Sequence, residues 1–362
     1  MSVLQRNELE ASPLADLHAI ASELGLEGYR TLRKAELVGA ILDAQGGEGD
    51  GEPTEAGQAD AVDEEPEVTE AGGPEEGEPE AAPVVEEQRT AGGVLDILPN
   101  GSGFLRSDPA GQSRDDVYVS PAQIRRCELR AGDELSGPVR APRRNERHPS
   151  LIRVDTVNGR PAEPPEERPA FADLTPVYPS ERLEGPAALE GVPFGRGSRV
   201  AIGGAPGTGA TTLLREVAAA LTERHPEIEL AVVLVSARPE EVTDWRRGGS
   251  APVYGGSFET SPEAQAQAAE LAVERAKRTV ERGGHAALVV DSLEALPPAA
   301  ARRVFGAARN TEEGGSLTIL AATGTALEPQ RFASTRVTLE PPDGGVRVAA
   351  GASSTLRADL LG

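Results

Sequence analysis

Gly204-Ala205-Pro206-Gly207-Thr208-Gly209-Ala210-Thr211 is the segment from which the architecture of this chain can be inferred. A short apolar run, 199–203, leads into it, and the spacing that follows predicts a helix over 211–222. A glycine-rich turn between a buried strand and a helix presents backbone N–H groups and a helix N-terminus to an anion, which is the outline of a phosphate-binding loop. An ordinary strand-to-helix turn uses glycine too, so the context on both sides carries the assignment. One residue departs from the pattern G-x-x-x-x-G-K-[ST]: Ala210 stands where lysine is required, while Thr211 keeps the hydroxyl that holds magnesium.

Downstream, the runs 230–236, 285–291 and 316–323 are continuously apolar, as in parallel strands buried on both faces. A long helix is predicted over 262–282, stopped by Gly283-Gly284 and supported by Glu274 and Arg278 four residues apart. Residues 337–339 and 346–350 read as a closing pair of strands. Strand, helix and strand alternate, which predicts a mostly parallel sheet with its ligand site at the carboxyl ends. Asp291 ends one of those strands. Alone it would be a strand-end cap; behind a phosphate loop in the same α/β unit it becomes the candidate partner of magnesium.

Upstream, 91–158 changes to short alternating segments, 94–98, 103–105, 116–119, 134–139 and 151–157, separated by turn signals. Five strands in so little chain predict a small barrel. Phe104 and Arg106 alternate onto one face with Tyr118 on a neighbouring strand, and Arg140, Arg143, Arg144 and Arg147 form a basic stretch. Aromatic faces for stacking beside arginines for phosphates suit single-stranded nucleic acid, although Phe104 alone would serve equally as core. Residues 161–169, with four prolines and three acids, read as a linker.

At the N-terminus, Ser12-Pro13 and the spacing of Leu14, Leu17, Ala21 and Leu24 predict a helix ending at Gly25, and a second is predicted over 31–44 with a basic start. Between Gly47 and Glu87 stand sixteen acids and no base, with few large apolar residues, so this stretch reads as a disordered acidic tether. Removing those sixteen charges from the formal −23 leaves −7, which no longer argues against a nucleic-acid partner. Cys127 is the only cysteine and the four histidines are scattered, which excludes an internal disulfide and gives no metal-ligand spacing. A reducing cytoplasm fits, and no segment reads as a membrane span or signal peptide.

Asn100-Gly101-Ser102-Gly103-Phe104-Leu105-Arg106, Asp115-Asp116-Val117-Tyr118-Val119-Ser120-Pro121, Gln123-Ile124-Arg125-Arg126 and Leu174-Thr175-Pro176 together resemble the RNA-binding cold-shock domain of the bacterial transcription termination factor Rho family. Gly28-Tyr29-Arg30-Thr31-Leu32-Arg33-Lys34 resembles that family's N-terminal helical domain. The ATPase half is matched by Arg238-Pro239-Glu240-Glu241-Val242-Thr243-Asp244 and by the stretch from Phe305 to Thr318.

The resemblance implies a multidomain chain: a helical domain over 1–46, the acidic linker over 47–88, an OB-fold barrel over 89–160, a connector over 161–185 and a RecA-like α/β P-loop domain over 186–362. It implies a ring-forming, RNA-dependent ATPase and helicase that uses ATP with Mg2+, loads on nascent single-stranded RNA and acts on the RNA polymerase complex, with no membrane partner. Carried onto this sequence, nucleotide contacts fall at Gly204, Pro206, Gly207, Thr208, Gly209, Ala210, Thr211, Thr212 and Arg238, and the metal is held through Thr211 and Asp291. RNA contacts fall at Gly103, Phe104, Arg106, Asp116, Tyr118, Glu146, Arg147 and His148.

Several positions depart from the family. Its two loop lysines fall at Gly207 and Ala210, and its acidic pair, the second member of which activates water, falls at Ser236-Ala237. An adenine-stacking aromatic falls at Ala349, and the arginine finger falls at Leu356 with Arg357 beside it. The stretch after Asp291 is short for the RNA-gripping loop, 322–330 is short for a second central loop, and the family's helical tail lies beyond Gly362. Two stacking positions of the RNA site are Ser102 and His148. Three readings follow: an RNA-binding terminator with impaired hydrolysis; an active enzyme in which Arg196, Arg199, Arg215 or a residue of a neighbouring subunit replaces the lysine; or a modulator that joins rings of an intact relative.

Overall fold

The computed structural model describes residues 89–362 apart from 110, 145, 250, 325 and 326, and of residues 1–88 only Leu17, Ala21, Val38 and Ile41. These four are helical and buried, and their spacings of four and three are those of one helix face. The rest of the two expected helices and the acidic 47–87 stretch lie outside the described residues. The chain divides into units Met1–Glu80 and Ala81–Gly362, and the second holds everything below.

Seven strands build the barrel: β1 (Thr90–Ile97), β2 (Gly103–Arg106), β3 (Val117–Val119), β4 (Glu134–Arg140), β5 (Ser150–Leu151), β6 (Thr156–Val157) and β7 (Arg160–Pro161). Their order is β1-β2-β3-β5-β4-β6-β7, and a β1–β4 pairing closes the sheet. Leu95, Leu105, Val117, Val119, Leu135 and Leu151 point inward to one apolar core, each such burial contributing roughly 1.5–3 kcal/mol. The strand expected over 151–157 is two strands. Ile152 and Asp155 still donate to Pro138 and Ser136 of β4, but the chain between them bulges over Gly137, where a Cβ would lie 2.2 Å from the Arg153 carbonyl oxygen. Helix α1 (Pro121–Arg126), not expected as an element, is set locally: Ser120 and Gln123 form a capping box around proline at the first helical position.

The α/β part contains β8 (Pro176–Val177), β9 (Arg182–Leu183), β10 (Phe194–Gly195), β11 (Arg199–Gly203), α2 (Ala210–Arg224), β12 (Ile228–Ala237), α3 (Pro239–Gly248) and β13 (Val253–Ser257). It continues through α4 (Pro262–Glu281), β14 (His285–Val290), α5 (Pro298–Gly306), β15 (Arg309–Thr311), β16 (Ser316–Gly324), α6 (Leu327–Phe332), β17 (Thr335–Glu340), β18 (Arg347–Val348) and β19 (Ser354–Thr355). The main sheet runs β13-β12-β14-β16-β11-β17-β18. Its first six strands are parallel, and the short strands at its margins are antiparallel. This is the mostly parallel α/β sheet that the sequence predicts.

Both faces are covered, so β14 alternates between two cores: Leu288 and Val290 pack with Ala269, Ala272 and Val273 of α4, whereas Ala287 and Val289 pack with Leu213 and Val217 of α2. The edge strand β13 and helix α3 were not anticipated. Val253-Tyr254-Gly255-Gly256-Ser257 carries two glycines, and Gly255 (φ +74°) is required because a Cβ there would lie 2.3 Å from the Leu234 carbonyl oxygen.

A buried charged junction fixes the barrel to α4. Arg168 donates to both oxygens of fully buried Asp133 at 2.5 Å, and Asn158 Nδ2 adds a third bond at 2.7 Å. Glu281 on α4 accepts from Arg130 of the barrel at 3.1 Å, from the Phe171 amide at 2.8 Å and from Arg278 at 3.0 Å. Gly132 (φ +86°) lies directly on α4, where a Cβ would meet the Glu274 carbonyl carbon at 2.3 Å. The proline-rich stretch 161–169 therefore carries a pinning residue, Arg168.

Candidate functional site

On the barrel, register puts Phe104 of β2 directly opposite Tyr118 of β3. Their rings meet edge to face at 5.8 Å, and the His148 ring meets Phe104 edge to face at 5.1 Å and 68°. All three side chains are half-buried. Gly103 is forced by close approach, since a Cβ would lie 2.8 Å from Leu95 and 2.9 Å from the Asp96 carbonyl oxygen. Ser102 turns inward to Asn100, its hydroxyl donating at 2.8 Å.

Arg106 shares the face of Phe104, with its guanidinium 5.4 Å from the ring centroid, yet the side chain is only 6% exposed. Its Nε and Nη2 donate to Asp96 Oδ2 at 3.1 and 2.6 Å, and its Nη1 donates to Asp116 Oδ2 at 2.5 Å. Two carboxylates therefore hold one guanidinium beneath the aromatic face, and Arg106 is not a free cation for a phosphate. Among the described residues, Asp116 Oδ1 and His148 Nδ1 are buried without a hydrogen-bond partner. Beside this face Glu146 accepts from Arg140 at 2.6 and 2.8 Å, and from the Arg143 amide at 3.1 Å. The Arg140 bond, then the Arg143 amide, hold its carboxyl down to about 2. Arg143, Arg144 and Arg147 are exposed around it.

At the carboxyl end of the parallel sheet, Gly204 donates to Gly324 at 3.0 Å, and the loop then turns through Gly207 (φ +83°) and Gly209 (φ +93°) into α2. Thr208 is buried and donates both its hydroxyl, at 2.8 Å, and its amide, at 3.2 Å, back to the Ala205 carbonyl. Pro206, Gly207 and Thr212 are exposed, and Thr211 is half-buried. The sheet brings 236–238 and Asp291 to the same end: Asp291 Oδ1 accepts from the Val235 amide at 2.7 Å. Burial pushes its carboxyl up to about 7. Ser236 (φ +56°) donates to Gln265 of α4 at 3.0 Å, and exposed Arg238 opens α3 with its amide on Glu241.

The positions where the phosphate pattern expects charge are apolar in fact as well as in name. Ala237 is 4% exposed and belongs to the α2-side core; Ala210 packs against the same cluster beside Val346 and Val348. The three arginines considered as substitutes are engaged elsewhere. Arg215 stacks on Trp245 at 5.3 Å with Asp244 at 3.7 Å. Arg196 pairs with Glu181 and Glu227 at 2.6 and 2.8 Å, and Arg199, at the amino end of β11, donates to Phe332 and Ala308 carbonyls at 2.9 and 2.8 Å. Leu356 is exposed, and Arg357 pairs with Asp359 at 3.0 Å.

Sequence reasoning missed Asp96, Gln265, Gln267 and Ser236 as supports of these two sites. Only Asp96 had a local signal, since it lies opposite Phe104 in the β1–β2 register; the others depend on contacts far apart in the chain. Among the described residues no group of His, Cys, Asp and Glu is arranged to hold a metal ion by itself, and no helix is long and apolar enough to cross a membrane.

Comparison with known proteins follows the same division. The family model described as Rho termination factor, RNA-binding domain, matches residues 91–163, and that described as Rho termination factor, N-terminal domain, matches residues 8–49. Transcription termination factor Rho of Thermotoga maritima is 36% identical over 348 residues, covering 87% of this chain and 73% of the relative. That of Aquifex aeolicus is 36% identical over 360 residues, covering 89% and 74%. Among solved structures, an ATPase from the type III secretion system of pathogenic bacteria covers 56% of this chain and 74% of its own, at 17% identity and a TM-score of 0.43. Aromatic RNA-type face, P-loop outline and extended identity agree: the chain belongs to the transcription termination factor Rho family.

Proposed function

We propose that this chain is a termination factor that binds single-stranded RNA through the Phe104–Tyr118–His148 face while its ATP hydrolysis is impaired. The observation that carries the second half is the packing of Ala210 and Ala237 into the apolar cluster on the α2 side. The loop backbone fits the phosphates of a nucleotide, because Gly207 and Gly209 keep the left-handed turns and open space surrounds Gly207. ATP with Mg2+ would be held by the 206–211 backbone and Thr211, with Asp291 toward the cation; the cation supplies charge neutralisation to the phosphates. What this chain's side chains lack is a base to activate water and a lysine to hold developing charge. Losing one preorganised charged group costs about 10²–10³ in rate, and an arginine finger about 10³–10⁵. Even without additivity, the residue set supports binding in preference to turnover.

For RNA, stacking on an aromatic is worth about 1–3 kcal/mol per base. Phe104→Ala is therefore expected to weaken binding of a short oligocytidylate at least about fivefold with an unchanged salt slope, whereas Arg147→Ala should lower the slope by about one. Fluorescence anisotropy across a salt series checks both, and unchanged affinity in Phe104→Ala would remove the RNA face. On this reading RNA is the direct partner in a cytoplasmic setting. Contact with the RNA polymerase complex, self-assembly into a ring and entry into rings of an intact relative rest on the family resemblance, and co-purification from the source cell tests them.

A further inference from the structure

The RNA face is supported from the other side of the molecule. Asp96 Oδ2, which receives Nε and Nη2 of Arg106, also accepts from Gln267 Nε2 of α4 at 2.7 Å, across 171 positions of sequence. The Gln267 amide oxygen in turn lies 3.4 Å from Gln112 Nε2, in the segment that connects β2 to β3. A cavity of about 750 Å³ opens at this junction, lined by Asp96, Arg106, Gln112, Ser261 and Gln267 among others. One carboxylate oxygen thus orders three N–H groups, and the cation it holds sits 5.4 Å from the ring centroid of Phe104.

We infer that Gln267 is a positioning residue for RNA recognition: from the ATPase-like part it fixes Asp96, which fixes Arg106 beneath Phe104. The inference rests on the RNA-face reading above. Gln267 itself touches no RNA. Without its amide, Asp96 Oδ2 keeps only Arg106 as a donor, and the guanidinium beneath the stacking ring is held less firmly. The side chain lies on the second turn of α4, two residues after Gln265, which holds Ser236 beside Ala237. The start of α4 is therefore a shared support of the RNA face and the nucleotide end of the sheet.

The test uses the full chain and a labelled oligocytidylate RNA. A hydrogen bond to a carboxylate shifts its own local equilibrium by about tenfold or more, and because Gln267 acts through Asp96 and Arg106 only part of that, about two- to tenfold, reaches RNA binding. Gln267→Leu is expected to weaken RNA binding by about that factor with the salt slope unchanged, since no phosphate contact is lost. Gln267→Glu, which sets a carboxylate against Asp96, is expected to weaken it further. In an Asp96→Ala background, Gln267→Leu should add little, because the oxygen through which the two act is gone. Thermal unfolding of each variant identifies any that fail to fold, and the Leu and Glu variants serve as substitutes for each other. Wild-type affinity in both folded Gln267 variants, or full additivity with Asp96→Ala, overturns the inference while Phe104→Ala still loses binding. Wild-type affinity in Phe104→Ala overturns the RNA-face reading itself.

Discussion

Asp133→Ala is expected to destabilise the Ala81–Gly362 unit by about 3–5 kcal/mol, the cost of leaving one partner of a buried ion pair alone. Asp133 is fully buried and accepts from Arg168 at both oxygens, from Asn158 and from the Arg130 amide at 2.7 Å. Removal of the carboxylate strands Arg168, only 9% exposed, between barrel and α4. The denaturant midpoint checks the prediction, and the loss should shrink when Arg168 is replaced by methionine in the same chain. Burial acts to raise the Asp133 carboxyl, but the bonds from Arg168, the Arg130 amide and Asn158 outweigh it and hold the group below the usual carboxylate range. A depressed folded value means that this stability is complete above the unfolded carboxylate range and is lost as pH falls through the folded one. Asp133→Asn should therefore flatten the acid limb of the stability curve, and a wild-type acid limb in that variant would contradict the assignment.

Ala210→Lys is expected to raise affinity for ATP by roughly tenfold to a hundredfold, from about 1.5–3 kcal/mol for a charged hydrogen bond to phosphate. Only a methyl group must leave the apolar cluster, because Ala210 is the first residue of α2 and is half-buried. Hydrolysis should stay slow in this variant, since Ala237 still offers no base. Titration with and without magnesium separates affinity from turnover, and an unchanged affinity would show that the loop does not receive phosphates.

How far the sequence revealed all this depended on the range of the interactions. The glycine loop, the apolar runs over 230–236, 285–291 and 316–323 and the barrel alternation are local patterns, and they led to the correct sheet and barrel. The division of 151–157 and the edge strand β13 were hidden because backbone approach at Gly137 and Gly255, and not side-chain periodicity, sets them. At the proposed RNA face the aromatic pairing of Phe104 with Tyr118 was legible from alternation. The burial of Arg106 was not, since it depends on two acids, Asp96 and Asp116, on different strands. Gln267 and Arg168 were illegible for a related reason: a glutamine on a helix and an arginine in a proline-rich stretch acquire meaning only through partners brought together by the tertiary fold.

The most direct test of the central claim is phosphate release from ATP by the unaltered protein, with magnesium, in the presence and absence of polycytidylate. The account predicts no RNA-stimulated release above background even at concentrations where RNA is fully bound; release at the rate of a translocating motor would contradict it.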